Sequence, residues 1–443
     1  MKRFLRLFII LLIPLILAVA LSLTYELVKP MPAEETPPPT AAPSPSPSPS
    51  PTPEPTPEPA PQVLPSDDEY PAGRLALTLA PDDRAAWRIL DDNYWTDHTL
   101  GAYGSLTLTA EAPISSMYII FGTVPGTWQL ETETGVYSFG EHGFLHEYVK
   151  LEEPADRVTL SFSGEGVMIR DIYAYTDGYP PSYVQTWNEI TDGADILIFS
   201  THNDDELLFM GGMIPYYSAV RALKVQVCYM TSNYQATFSN YRFRPHEALN
   251  GLWTAGTHYY PVTNPVPDIE CETIWDAQRV YGEDQFLEFQ VEMIRRFKPL
   301  VVVTQAEDGE YGHGAHILTA LSAERAVYAA ADPTQFPDSA QRYGVWDTPK
   351  TYLHKYGPWD EITILNYEQP AEALGGRTPF EVAQAAYRMH VTQQQWTGFF
   401  VYSYDHPQDS HRYGLFRSLV GPDIYKNDLM ENVSREMFPF YSM

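Results

Sequence analysis

Two stretches of the chain share one order of hydrophobic and polar positions, a short apolar run followed by a cluster of polar residues. The first is Ile196–Gly212 (ILIFSTHNDDELLFMGG) and the second is Leu300–His316 (LVVVTQAEDGEYGHGAH). In each, the β-branched run predicts a strand and the pattern after the first cluster predicts a helix. Ligands of open α/β sheets bind where the carboxyl ends of the strands meet. We therefore expect the two polar clusters to converge at one edge of a sheet.

The chain from Ala194 onward alternates short apolar runs with longer segments of helical periodicity. This alternation predicts an α/β domain over residues 181–443, with a parallel sheet and helices on both of its faces. The predicted strands are Ile196–Ser200, Lys224–Met230, Leu300–Gln305 and Ile362–Leu365, and the predicted helices are Glu206–Leu223, Pro245–Ala255, Asp284–Phe297, His316–Ala331 and Thr378–Gln395.

Residues 66–180 show a different pattern, in which short alternating runs are separated by turn residues. The runs are LALTLA, SLTLTAE, MYIIFG, TWQLET, RVTLSFS and VMIRDIYAY, and they predict an all-β sandwich. The stretches ILDDNYWTDHTLGAYGSLTL and VMIRDIYAYTDG resemble the discoidin or galactose-binding-like sandwich, which is often appended to carbohydrate enzymes. Its aromatic side chains suit either stacking on sugar rings or packing in the core. They are Trp87, Tyr94, Trp95 and Trp128.

The start of the chain predicts an export signal. The basic sequence MKRFLR precedes the apolar run Leu7–Leu23, which is near the lower limit of the roughly 17–25 residues that span a bilayer. Residues 1–29 thus predict a signal anchor or, if the AVA sequence at residues 18–20 is cleaved, a signal peptide. Residues 30–65, centred on PSPSPSPSPTPEPTPEP, predict a Pro-rich disordered linker. We expect the rest of the protein on the extracytoplasmic face, membrane-anchored or secreted.

Composition limits the partners and the kind of metal site. The 443-residue chain has a net charge of −29, which argues against nucleic acid as a partner because phosphate binding depends on Lys and Arg. Only Cys228 and Cys271 are present, so a zinc site of four cysteines is excluded. Any metal must therefore bind mainly through histidine and carboxylate side chains.

The polar residues of the two clusters are those of a catalytic metal site. His202 and Asp205 of the first cluster suit a zinc ion, with His316 of the second as the third ligand, and three protein ligands leave a position open for water. Asp204 is placed to accept a proton from that water, and His313 to stabilise an oxyanion or to protonate a leaving amine. Either cluster alone is equally consistent with a solvated loop. The prediction of a metal site therefore depends on the presence of both clusters.

Here the sequence resembles a family. THNDDELLFMGG resembles the HPDDE signature of the PIG-L/LmbE-like deacetylases, and DGEYGHGAH resembles their HxxH signature. These are zinc-dependent hydrolases with a Rossmann-like fold that typically remove acetyl from N-acetylglucosamine-containing substrates. By motif position the resemblance implies zinc ligands His202, Asp205 and His316, general base Asp204, and oxyanion or acid groups His313 and Tyr311.

Two further segments resemble elements of the same family. RPHEALNGLWTAGT resembles its Arg-x-x-Glu helix, in which an arginine reaches the substrate. This implies that Arg244 contacts substrate and that Glu247 orients it. AAYRMHVTQQ resembles a late His-x-Ser/Thr-Gln element, which implies that His390 lines the substrate site.

The sequence departs from the family pattern at two positions. Asn203 stands in place of the usual proline, which a turn tolerates. Ala315 replaces the acidic residue that commonly orients the first histidine of the HxxH signature. His313 is then less readily protonated, unless Asp308 or Glu310 takes over that task.

Taken together, the sequence predicts an extracytoplasmic zinc-dependent amidohydrolase that deacetylates an N-acetylglucosamine-containing glycan or glycoconjugate. Fe²⁺ suits the same ligands, because ligand type alone does not select between the two ions. The alternative is a non-catalytic carbohydrate-binding surface protein whose hydrolase domain has decayed, as Ala315 suggests. A third option keeps the chemistry and changes the substrate to a small-molecule amide or a glycolipid. The oligomeric state is not predicted.

Overall fold

The computed structural model describes residues 71–80, 85–164, 166–233, 241–282, 284–395, 400–404 and 406–440. The predicted membrane segment and the predicted Pro-rich linker lie outside these ranges. Among the helices that the described residues form, none is both long and apolar enough to cross a bilayer.

The N-terminal part is a seven-stranded antiparallel sheet in the order β2-β7-β3-β6-β4-β5, with β1 beside β3. Its strands are β1 (Leu77–Ala80), β2 (His98–Gly101), β3 (Ser105–Phe121), β4 (Trp128–Glu131), β5 (Val136–Phe139), β6 (His146–Phe162) and β7 (Gly166–Tyr175).

Strand β3 joins two runs that the sequence pattern separates, SLTLTAE and MYIIFG. Its pairing with β6 shifts register between Thr109 and Ser116, so the chain continues through an irregularity and not through a turn. The first half of β3 pairs with β1 and the second half with β7. Of the aromatic residues proposed for sugar stacking, Trp128 is only 1% exposed and donates to Glu147, so it belongs to the core.

The C-terminal part is built on a second seven-stranded sheet, in the order β10-β9-β8-β11-β12-β14-β13. The strands are β8 (Ile196–Ser200), β9 (Val225–Tyr229), β10 (Val262–Thr263), β11 (Val301–Thr304), β12 (Lys350–His354), β13 (Ile362–Ile364) and β14 (Arg412–Ser418). The first five strands of this order are parallel, as predicted. The expectation of an all-parallel sheet is wrong at β14, which runs antiparallel to both β12 and β13.

Helices connect these strands. They are α1 (Asp205–Leu208), α2 (Arg244–Thr254), α3 (Ile274–Tyr281), α4 (Asp284–Phe297), α5 (Gly309–Gly312), α6 (Gly314–Ala329), α7 (Pro337–Tyr343) and α8 (Pro379–Tyr387). The predicted helix Glu206–Leu223 is instead divided into α1 and a π-helical segment, Pro215–Val220. Proline lacks the N–H that a continuous helix needs, and Gly212 packs so closely on Tyr367 that a side chain there would clash.

The sheet order positions the functional loops. Strands β8 and β11 are hydrogen-bonded neighbours, with Val301 opposite Ile196. From β8 the chain proceeds to β9 and β10 on one side, and then returns to β11 on the other. The loops that follow β8 and β11 therefore open at the same edge, where the strand order reverses. This confirms the predicted convergence of the two polar clusters.

Candidate metal centre

Three side-chain atoms from the two loops form a triangle, here called the ligand triangle. His202 Nδ1 lies 2.9 Å from Asp205 Oδ2, His316 Nε2 lies 3.0 Å from the same oxygen, and the two ring nitrogens are 3.1 Å apart. All three side chains are buried. Bonds of about 2.0–2.2 Å from zinc to nitrogen and oxygen suit ligand atoms at roughly this spacing. The donor set thus fits a divalent metal ion, and its role as the ligand set stays a prediction.

The charges around the ligand triangle also favour a cation. Burial alone would lower the pKa of His316, but the carboxylates of Asp205 and Glu310 raise it to about 10. Burial alone would raise the pKa of Asp205, but His316 and His202 hold it well below its usual range. At this position the neighbouring carboxylates outweigh the cost of burying a positive charge. Such a position also suits a metal ion, which carries more charge than a proton.

Glu310 holds His316 in the orientation of a ligand. Its Oε2 lies 2.9 Å from His316 Nδ1, and its Oε1 accepts from the Ala306 N–H at 2.8 Å and lies 3.2 Å from His354 Nδ1. Burial would raise the pKa of Glu310, but the bonds to the two histidines bring it to about 2. A carboxylate on the second nitrogen of a ligating histidine fixes its ring and increases its basicity.

The backbone of α5 places Glu310 in this position. Glu310 has φ 61° and ψ −57°, a sparsely populated positive-φ conformation that costs a non-glycine residue about 1–3 kcal/mol. Asp308 accepts from the Glu310 N–H at 3.0 Å and helps to hold the turn. Glu310 or Asp308 was predicted as a partner for His313, whereas Glu310 is bound to His316 and His354. Asp308 lies 3.4 Å from Lys355.

Asp204 lies next to the ligand Asp205 but points to a different partner. Its Oδ1 accepts from Arg244 Nη2 at 2.8 Å, and Arg244 Nη2 also donates to the Asn203 carbonyl at 3.0 Å. Asp204 has φ 152°, which is strained for a residue with a side chain. Burial raises the pKa of Asp204, against the lowering effect of Arg244.

Arg244 was predicted to contact substrate, and in the structure it contacts the candidate base. It is 7% exposed, and Nη1 lies 3.5 Å from Asp268 Oδ2. Asp268 Oδ1 in turn lies 3.5 Å from His202 Nε2, so this carboxylate links Arg244 to a ligand. Asp268 was not predicted from the sequence, because it follows the short strand β10 without a motif around it.

His313 and Tyr311 lie on the more open side of the ligand triangle. Ring nitrogens of His313, His202 and His316 all lie within 4.8 Å of one another. His313 Nδ1 is buried and has no hydrogen-bond partner among the residues that the structure describes. Burial and the two neighbouring histidines lower the pKa of His313 to about 3, so the ring is neutral at pH 7. Tyr311 is 51% exposed, with its ring centroid 5.4 Å from that of His316.

Ala315 is fully buried in an apolar cluster that includes Met230 and Leu318. An acidic side chain at this position would therefore lose its hydration. The departure from the family pattern at Ala315 thus agrees with the packing of α6.

His390 lies close to Glu206, the residue that follows Asp205. It is fully buried, its Nε2 is 3.9 Å from Glu206 Oε1, and neither ring nitrogen has a hydrogen-bond partner in the described part of the chain. Both oxygens of Glu247 accept from Thr392, at 2.7 Å each. Glu247 therefore anchors the segment that carries His390. Substrate contact by His390 stays a prediction.

The fold and the site together define a class of domain. It is an α/β domain in which two histidines and one aspartate lie together where the strand order reverses. Residues 197–327 match the family model described as PIG-L: GlcNAc-PI de-N-acetylase. The matched range includes the ligand triangle, Asp204, Arg244, Tyr311 and His313. This part of the chain is therefore similar to a PIG-L domain.

Two curated relatives are similar to the chain, and both are named 1D-myo-inositol 2-acetamido-2-deoxy-alpha-D-glucopyranoside deacetylase. The protein from Geodermatophilus obscurus is 32% identical over 190 residues, covering 36% of this chain and 62% of the relative. The protein from Streptomyces scabiei is 35% identical over 95 residues, covering 21% of this chain and 28% of the relative. The chain thus spans less than two thirds of either relative.

Among solved structures, the chain is similar to the N,N'-diacetylchitobiose deacetylase from Pyrococcus horikoshii complexed with its inhibitor. The identity is 17% and the TM-score is 0.35. The match covers 49% of this chain and 79% of that one.

Proposed function

We propose that the protein is a zinc-dependent deacetylase that hydrolyses the N-acetyl group of an N-acetylglucosamine-containing glycan or glycoconjugate. The observation that carries the proposal is the ligand triangle of His202, Asp205 and His316, with the buried carboxylate of Asp204 beside it. The similarity to a PIG-L domain and the names of the two relatives, which act on an acetamido sugar, support the substrate class.

Asp204 serves as the proton acceptor in this proposal. Hydrolysis adds water to the amide carbonyl and breaks the C–N bond, so one proton must leave the water and one must reach the amine. The bond from Arg244 holds one carboxylate oxygen of Asp204 and leaves the other to accept that proton. Burial raises the pKa of Asp204 towards the range in which a general base works at neutral pH.

His313 and Tyr311 supply hydrogen-bond donors. Zinc, when bound, polarises the amide carbonyl and lowers the pKa of water. Because His313 is neutral at pH 7, its ring donates one N–H to the developing oxyanion, without a net positive charge. Burial also raises the pKa of Tyr311, which keeps the phenol protonated and able to donate.

The proposal includes an extracytoplasmic location, with the protein anchored by residues 1–29 or released by their cleavage. The basic and apolar start of the chain and the Pro-rich residues after it support this location. An N-acetylated glycan is the partner that this location and the metal site suit. Fe²⁺ remains compatible with the same ligands.

Acetate release from a panel of N-acetylated glycans, small acetamido-sugar glycosides and glycolipids tests the proposal. The purified full-length protein should release acetate from a glycan of the panel, lose activity with a chelator and regain it with Zn²⁺. Release that survives complete metal removal would contradict the metal mechanism. A protein that binds glycan but holds no metal and releases no acetate would favour the carbohydrate-binding alternative.

A further inference from the structure

A chain of buried polar side chains runs from the N-terminal sheet to the helix that carries Arg244. Tyr118 Oη lies 2.9 Å from His146 Nδ1, and His146 Nε2 lies 2.9 Å from His246 Nδ1. Arg170 Nε donates to His246 Nε2 at 3.0 Å. Tyr118, His146 and Arg170 belong to β3, β6 and β7, and His246 belongs to α2.

Arg170 determines the protonation of every member of this chain. A guanidinium has only donors, so His246 Nε2 must be the acceptor and the proton of His246 is on Nδ1. His246 Nδ1–H then donates to His146 Nε2, which leaves the proton of His146 on Nδ1, directed at Tyr118. Burial lowers the pKa of His146 to about 3 and that of His246 well below its usual range, so both rings are neutral.

Arg170 is itself held by the N-terminal part and by the start of α2. It is fully buried, Nη1 donates to the Tyr94 carbonyl at 3.1 Å, and its guanidinium lies 4.4 Å from the centroid of the Phe243 ring. The Trp95 ring also packs on the Phe243 ring, with 4.2 Å between the two ring centroids. Burial lowers the pKa of Arg170 to about 10, which leaves it charged at pH 7.

His246 is two residues from Arg244 in the first turn of α2. No side chain caps this helix at Phe243, so contacts with other elements fix its first turn. On the far side of the turn, Arg244 donates to Asp204 at 2.8 Å. A buried guanidinium and two buried imidazoles are costly ways to stabilise an interface, where apolar side chains of similar size would serve. Directional bonds offer what apolar contacts lack, a fixed orientation.

We propose that Arg170, in the N-terminal sheet, is a positioning residue for the metal centre. Through His246 it fixes the first turn of α2 and hence the direction in which Arg244 holds Asp204. This inference rests on the proposed function, in which Asp204 accepts the proton. The N-terminal part is then a component of the catalytic unit, in addition to any ligand that it binds.

The central experiment compares variants of the full-length protein in kcat, KM and metal content. Arg170→Met keeps most of the length of the side chain and removes its donors, and we expect kcat to fall by about tenfold to a hundredfold. Metal content and KM should stay close to those of the wild type. Tyr260→Phe is the matched control, because it removes another hydrogen bond between the two parts, from the Leu145 N–H to Tyr260 Oη, and should leave kcat unchanged.

A second pair of variants covers the case in which Arg170→Met does not fold. In His146→Gln the amide can accept from His246 and donate to Tyr118, so the chain keeps its direction and kcat should be retained. In His146→Leu the Nδ1–H of His246 loses its acceptor, and kcat should fall. Equal kcat values for the two variants, or an effect confined to thermal stability, would overturn the proposal.

Nuclear magnetic resonance of ¹⁵N-labelled histidine provides a readout besides activity. His146 and His246 should both carry their proton on Nδ1, and Arg170→Met should release His246 from this state. Should the wild type release no acetate, the proposed function fails, and a crystal structure of Arg170→Met still decides the inference. An Arg244–Asp204 contact that is unchanged in that variant would refute it.

Discussion

The loop after β8, residues 201–205, and the loop after β11, residues 305–313, build the candidate metal centre in different ways. The β8 loop supplies two of the predicted ligands and the adjacent carboxylate, and all of its side chains are buried. The β11 loop leads to one ligand, His316, and also carries Tyr311, which is half exposed. Each loop holds one acidic residue with a positive φ, Asp204 in the first and Glu310 in the second.

The difference lies in what fixes each strained carboxylate. Asp204 is held by Arg244 of α2, and this helix is tied to the N-terminal sheet. Glu310 is held by His354 of β12 and by the backbone of its own loop, within the C-terminal sheet. The predicted metal ligands are thus held within the C-terminal sheet, whereas Asp204, the proposed proton acceptor, is held by a helix that also contacts the N-terminal sheet.

The largest effect is expected for Asp205→Ala. This change removes one corner of the ligand triangle, so bound metal and acetate release should be lost together. Metal content by elemental analysis, measured beside kcat, checks the prediction. A metal-replete Asp205→Ala protein would show that Asp205 is not a ligand.

Asp204→Asn should separate the two adjacent aspartates. The change keeps the shape of the side chain and removes its ability to accept a proton. We expect kcat to fall by roughly 10²–10⁴, the usual contribution of a positioned acid–base group, with metal content unchanged. Loss of metal, or kcat near that of the wild type, would mean that base and ligand have been assigned to the wrong residues.

Glu310→Gln should act on metal binding through the β11 loop. The amide cannot accept from both histidines as the carboxylate does, so His316 becomes a weaker ligand. Metal affinity should fall by about 10–100-fold, as is usual for the partners of ligating histidines. A competition titration with a chromogenic chelator measures this. Asp308→Asn, which removes the charge of a neighbouring carboxylate but keeps an oxygen to accept from the Glu310 N–H, is the control and should retain the affinity.

The smallest effect concerns pH and the support of the β8 loop. An unfolded imidazole titrates near pH 6.5, whereas folded His146 has its pKa lowered by burial, and also by Arg170, to about 3. Between these values the unfolded chain binds more protons, so the free energy of unfolding should decrease as the pH falls below 6.5. At pH 5 the loss is about 2 kcal/mol from this ring.

Thermal unfolding between pH 7 and pH 5 measures this loss. The slope of melting temperature against pH should be shallower in His146→Gln than in the wild type. Identical slopes would mean that His146 does not stay neutral in the folded protein.

The ligand triangle could be predicted because its information is local. Strand-like runs and the polar residues after them place His202, Asp205 and His316, and the parallel sheet then brings the loops together. Strand β8 was predicted with its observed bounds, and so was helix α4. The end of α8 was placed too far along the chain, because nothing in the pattern after Tyr387 marks a stop.

The partners of the predicted residues could not be found in this way. The bond between Glu310 and His316 depends on a positive φ at Glu310 that the sequence GEYG does not specify. His354 lies on a strand that the periodicity did not reveal, and it looks like an isolated histidine. Arg170 and His246 are 76 positions apart and belong to different parts of the fold. Such pairs depend on tertiary packing, which a single sequence does not record.

The C-terminal sheet cannot be completed until β14 has been synthesised, because β14 follows β12 and β13 in the chain but lies between them in the sheet. This late strand lies between β12 and β13, and in the described part of the chain β13 pairs only with it. Just before it, the Asp409 carbonyl lies 2.7 Å from Nε2 of His354. A nascent chain that has reached β13 therefore has an open edge on β12, the kind of edge at which chains aggregate. Chaperone dependence and sensitivity to premature termination should be concentrated in this interval, after the N-terminal sheet is already complete.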